Sequence, residues 1–190
     1  MIRACKHLDL RYGFTLFELL VAVSILAILV AVVLPKTTDD DRLRIRAASN
    51  VIMADIELAQ AMTIASPKEP VIVRFDAANS RYWLAYAADP LTPITRAGTN
   101  DPYIVTLGAG RAIGAQGITF TLDGMLQNTL AFNSHGGLVD FNASPEIILA
   151  PSGGKQENRV KIVVAPTTGR LSESQVVETQ IVLSEAPKGR

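Results

Sequence analysis

The sequence predicts an α+β fold: a long N-terminal helix, half transmembrane and half amphipathic, packed on an antiparallel β domain. Residues 14–34 form an unbroken apolar run whose only charge is Glu18. Residues 42–66 then repeat apolar side chains at helical spacing, and beyond Pro70 the period changes to two. The chain accordingly divides into a leader at 1–13, a transmembrane helix at 14–35, an amphipathic helix at 36–66, and a β domain with a C-terminal tail at 67–190.

The first element follows from length and polarity. As a helix, residues 14–34 cover about 31 Å, close to the hydrocarbon core of a bilayer, and a helix satisfies its own backbone there. Arg3, Lys6 and Arg11 precede the run against the lone Asp9, which predicts a cytoplasmic N-terminus. The run is longer than a secretory signal, and Leu34-Pro35-Lys36 makes a poor signal-peptidase junction. Cys5 precedes the run rather than ending it, so a lipoprotein signal is not favoured. Glu18 is costly in such a segment, by about 2.5–3.5 kcal/mol at the bilayer centre and less toward the interface. It sits either at headgroup depth or in a charge pair. If the chain is cut after Gly13, Phe14 gains a free amine that Glu18 of a neighbouring copy can neutralise.

Gly13-Phe14-Thr15-Leu16-Phe17-Glu18, followed by about twenty apolar residues, resembles the class III signal of type IV pilins and type II secretion pseudopilins. The resemblance implies prepilin peptidase cleavage between Gly13 and Phe14, N-methylation of Phe14, and a role for Glu18 as the assembly contact. Pro35 falls where many members of that family have a proline that loosens the helix. The implied partners are other pilins or pseudopilins, the peptidase, an inner-membrane assembly platform and membrane lipid. The implied location is the inner membrane, single-pass, with the C-terminal domain periplasmic.

Composition narrows the remaining classes. Without the leader, the balance of 18 basic and 18 acidic residues shifts to a net charge of about −2, which does not favour a broad nucleic-acid surface. Cys5 is the single cysteine and lies in the leader, so the exported domain relies on its packed core rather than on disulfides. No cofactor and no metal is expected. Asp39, Asp40 and Asp41 suit a helix start better than a calcium loop, since the further ligands and the glycine turn are lacking.

In the second helix Ile45, Ala48, Ile52, Ile56, Ala59 and Met62 share one face, with Arg46, Asn50, Glu57 and Gln60 opposite, and Pro67 and Pro70 stop it. Strands are expected at 71–75 and 81–86 as a hairpin, then at 103–107, 118–122, 129–133, 138–141, 146–150 and 159–165. A further edge strand is expected at 175–183. Glycine turns separate them at His135-Gly136-Gly137, Pro151-Ser152-Gly153-Gly154 and Pro166-Thr167-Thr168-Gly169. This half is similar to the GspH/FimT branch of the same family. The resemblance rests on Phe132, Gly136, Gly137, Val160, Ile162, Val164, Gly169 and Arg170.

Candidate chemistry is sparse. Gly108 to Gly114 lacks the strand–turn–helix unit of a phosphate loop, and Gly153-Gly154-Lys155 lacks Walker spacing. Ser134-His135 needs an orienting acid to act as a nucleophile pair, and His135 reads as a turn residue. Trp83 and its neighbouring tyrosines read as sheet-face packing. The expected function is that of a minor pseudopilin, a non-enzymatic subunit of a type II secretion pseudopilus. The alternatives are a FimT-like minor pilin, in pilus assembly or DNA uptake, and a signal-anchored periplasmic binding module.

Overall fold

A computed structural model describes residues 15–33, 38–139, 144–153 and 159–176, with backbone alone at 29–33, 38 and 39. The chain divides into two compact units, Met1–Asp39 and Asp40–Arg190.

The first unit contains α1 (Leu16–Val33), 18 residues without glycine or proline. Its described side chains are exposed, including Leu16, Phe17, Leu20, Val23, Leu26 and Ile28. Ser24, a polar residue in this stretch, donates its hydroxyl to the Leu20 carbonyl at 2.8 Å and so needs no outside partner. Among the described residues no helix is long and apolar enough to cross a membrane. The expected span, 14–35, extends beyond α1 at both ends into residues outside the description.

The second unit is built on α2 (Thr38–Ala65), which ends just before Pro67. Its predicted apolar face is the buried one: Ile45, Ala48, Ile52, Ile56 and Ala59 are all almost inaccessible, and Met62 packs at the margin. Eight strands follow: β1 (Val71–Asp76), β2 (Arg81–Tyr86), β3 (Ile104–Thr106), β4 (Ile118–Asp123), β5 (Thr129–Ala131), β6 (Glu146–Pro151), β7 (Val160–Val164) and β8 (Leu171–Gln175). They form two four-stranded antiparallel sheets, in the orders β3-β2-β1-β5 and β4-β6-β7-β8.

Alternation places one face of each sheet inward. Val71, Val73 and Phe75 of the first sheet and Val160, Ile162 and Val164 of the second join the α2 stripe in a single core. Phe75 meets Phe120 edge-on, with ring centroids 5.8 Å apart, where the two sheets face each other. The expected hairpin is present, with Val73 opposite Leu84 and a 3₁₀ turn at Ala77–Asn79. Asp76 organises that turn. Its carboxylate accepts from the Asn79 side chain and from Arg81 Nε, both at 2.8 Å, and these bonds hold its pKa below the usual value.

Four strand expectations change. Residues 103–107 and 129–133 form shorter strands, since Tyr103, Leu107 and Phe132 turn into the core at the ends of β3 and β5. The expected strand at 138–141 reduces, in its described part, to one bridge between Leu138 and Phe132, with 140–143 outside the description. The edge strand lies at Leu171–Gln175, ahead of the expected 175–183, of which 177–183 lie outside the description. The glycine turn at 169 lets β8 start at once against β7, with Val164 opposite Leu171. Gly108 to Gly114, read as a loop, carries a 3₁₀ segment at Gly110–Ala115.

Candidate functional site

The head of α1 is the candidate site. Thr15 is its N-cap: the Glu18 N–H donates to Thr15 Oγ1 at 3.2 Å, and the Leu19 N–H donates to the Thr15 carbonyl at 3.1 Å. Thr15-x-x-Glu18 is therefore spaced as a capping box, with threonine at the cap and glutamate at the third helical position. The Glu18 side chain stands exposed in the first turn, where the helix dipole favours a carboxylate. The cap was legible from Ser/Thr-x-x-Glu spacing, a signal the sequence reading left unused. Gly13 and Phe14, the expected cleavage and methylation positions, lie outside the described residues.

A second constellation joins the two turns singled out in the sequence. Gln60 of α2 donates from Nε2 to the Gly136 carbonyl at 2.7 Å and to the Thr168 carbonyl at 3.1 Å. Gly169 has φ +65°, and a Cβ there would overlap both the Gly136 carbonyl oxygen and Gln60 Nε2. A Cβ on Gly137 would lie 2.6 Å from the Thr167 carbonyl oxygen. Phe132, Gly136 and Gly137 thus meet Gly169, from a distant turn of the chain, at one junction beneath α2. Gln60, expected on the solvent face, is half-buried because these carbonyls need a donor.

The third feature was not anticipated. Asp55 lies on α2 at 1% exposure. The Tyr82 hydroxyl donates to its Oδ2 at 2.6 Å and the Tyr103 hydroxyl to its Oδ1 at 2.8 Å. One Arg111 nitrogen reaches Oδ1 at 2.8 Å, and another donates to the Tyr103 oxygen at 2.7 Å. Burial, and then the Asp55 charge and hydrogen bond, push the Tyr82 pKa well up. Tyr103 rises for the same reasons in part, with burial first. The network ties α2 to β2 and to the segments flanking β3. It reads as a structural clamp, since every member already has a partner.

The remaining candidates are turn and packing residues. Ser134 Oγ lies 3.3 Å from His135 Nδ1 on an exposed turn that Asn133 organises by accepting from the His135 and Gly137 N–H groups. Trp83 donates from Nε1 to the Pro90 carbonyl at 3.1 Å. Among the described residues no group of three His, Cys, Asp or Glu side chains converges as a metal site would.

The capped apolar helix and the helix-on-two-sheets domain define a type IV pilin-like architecture. Residues 10–34 match the family model described as the prokaryotic N-terminal methylation motif. The fold is similar to that of the minor pseudopilin EpsH from the type 2 secretion system of Vibrio cholerae, with TM-score 0.50 and 16% identity over 71% of this chain and 98% of that one. No curated protein matches the sequence. The chain thus combines a prepilin-type methylation motif with the α+β fold of a pseudopilin.

Proposed function

We propose that this chain is a minor pseudopilin, a structural subunit of a type II secretion pseudopilus. The observation that carries the reading is the coincidence of the methylation motif at 10–34 with a Thr15-capped apolar helix, in a chain whose folded domain is pilin-like. In this reading a prepilin peptidase cuts between Gly13 and Phe14, and Phe14 becomes the methylated N-terminus. Residues 14–35 hold the protein in the inner membrane with the domain outside. Glu18, placed one turn into the helix, then faces the Phe14 amine of a neighbouring subunit, and the two charges neutralise each other in an apolar setting. Other pilins or pseudopilins, the peptidase and the assembly platform are its partners, and the work is packing rather than catalysis.

The test is the mature N-terminus, read by mass spectrometry after co-expression with a prepilin peptidase in bacterial membranes. N-methylated Phe14 is the expected result. An intact Met1 under those conditions overturns the reading and leaves a tethered domain.

A further inference from the structure

The N-terminal part of α2 carries more positive charge than its surroundings balance. Arg42 and Arg46 stand one helical turn apart, both exposed, flanking the buried Ile45. With Arg159, just ahead of β7, and with Glu173 and Gln175 of β8, they line a cleft of about 100 Å³. Among the described residues Glu173 is the one carboxylate in that lining, and it already accepts the hydroxyl of the buried Ser49 at 2.5 Å. Arg159 has a partner of its own. Setting one further guanidinium against Glu173 still leaves one positive charge in the cleft, on a side chain open to solvent. The nearby acids do not cancel it, since Asp40 is matched by Arg44 at 4.0 Å and Asp41 does not line the cleft.

Position in the chain selects the anion. Arg42 follows Leu34, the end of the apolar run, by eight residues. That tether limits their separation to about 29 Å fully extended and to about 12 Å as helix. With residues 14–35 in a bilayer, the cleft is held at high effective concentration over lipid headgroups. Side chains on a helix lean toward its N-terminus, here the end joined to the apolar run, and the long arginine stem lets its charge reach an interface. A phosphodiester carries one negative charge, matching the one the cleft leaves over, and its two free oxygens accept the parallel N–H groups of a guanidinium. We infer that the Arg42–Arg46 cleft binds the phosphodiester of an anionic lipid headgroup and so ties the folded domain to the membrane surface. The site rests on the reading of residues 14–35 as a membrane segment.

The experiment is native mass spectrometry of the full-length chain in detergent micelles, titrated with phosphatidylglycerol and, separately, with phosphatidylcholine. Phosphatidylglycerol should half-saturate the chain at a concentration at least about fivefold lower, because choline sets a positive charge against the arginines. Arg46→Gln should weaken phosphatidylglycerol binding about fivefold, the factor for one arginine at an anionic surface. Arg44→Gln, an equal charge change on the same helix, should leave binding unchanged. Both arginines are exposed, and unchanged Trp83 fluorescence checks the fold of each variant. Flotation of the same chain with neutral phosphatidylcholine vesicles separates the two readings. A chain that floats yet shows no preference for phosphatidylglycerol overturns the cleft assignment alone. One that fails to float removes the membrane reading and the cleft assignment with it. Inorganic phosphate or acetate displacing the lipid at equal concentration would give the cleft to a free anion or a protein carboxylate instead. Arg44→Gln weakening binding as much as Arg46→Gln would reduce the site to diffuse charge and overturn it.

Discussion

Asp55 is where a single residue changes most of the energetics. A carboxylate at 1% exposure is retained only because two phenols and a guanidinium surround it. Asp55→Ala would leave Arg111 and both hydroxyls without their acceptor, and should destabilise the domain by about 3–5 kcal/mol in denaturant titration. The tyrosines give a pH signature. An unfolded phenol titrates near 10, whereas burial and the Asp55 charge raise Tyr82 above that. The neutral phenol's contribution is complete below pH 10 and shrinks as pH rises past 10 toward the raised value. Base unfolding should therefore begin above pH 10, with phenolate absorbance at 295 nm rising as the fold is lost. Tyr82→Phe should flatten that decline while costing stability at neutral pH. Neither Asp55 nor Tyr82 declared this role in sequence. An acid on a helix and an aromatic in a strand are ordinary, and they are brought together across 27 residues only by packing.

At the scale of elements, α2 is held by more than its apolar stripe. Ser49 donates to Glu173 on β8 at 2.5 Å, Thr63 accepts from the Val71 N–H of β1 at 2.9 Å, and Gln60 spans the two glycine turns. The helix is thus bonded to both sheets as well as packed on them. Gly169→Ala tests the junction, because it adds both a left-handed penalty and an overlap with Gly136 and Gln60. It should cost about 2–5 kcal/mol in the same denaturant titration. Gly98→Ala, at φ +83° with nothing within 4 Å, should cost only the backbone part, about 1–2 kcal/mol. The first seven strands and both glycine turns were readable from alternation and turn residues, whereas β8 was expected further along the chain. That the turns touch was not, since local pattern carries no record of long-range contact.

For the whole molecule, the two units carry different physics. The second encloses a core drawn from α2 and both sheets, while α1 displays apolar side chains along its described length. An apolar surface of that extent requires cover by lipid or by other helices. Under the filament reading, Glu18→Ala should leave membrane insertion intact, because it removes the only charge in residues 14–34. It should abolish incorporation into filaments, read by membrane fractionation beside sheared-filament immunoblots. Normal incorporation would remove the Glu18–Phe14 pairing from the proposal.

The sequence by itself determined the apolar helix with Glu18 near its head, the buried face of α2 and the places of β1 to β7, because these follow from periodicity and from which residues can turn. Tertiary structure alone decided the division into two sheets, the buried Asp55 clamp, the meeting of the Gly136 and Gly169 turns on Gln60, and the buried Arg96 Nε that has no hydrogen-bond partner among the described residues. Each of these depends on groups far apart in the chain satisfying, or failing to satisfy, one another's hydrogen bonds. That condition exists only once the core has closed around them.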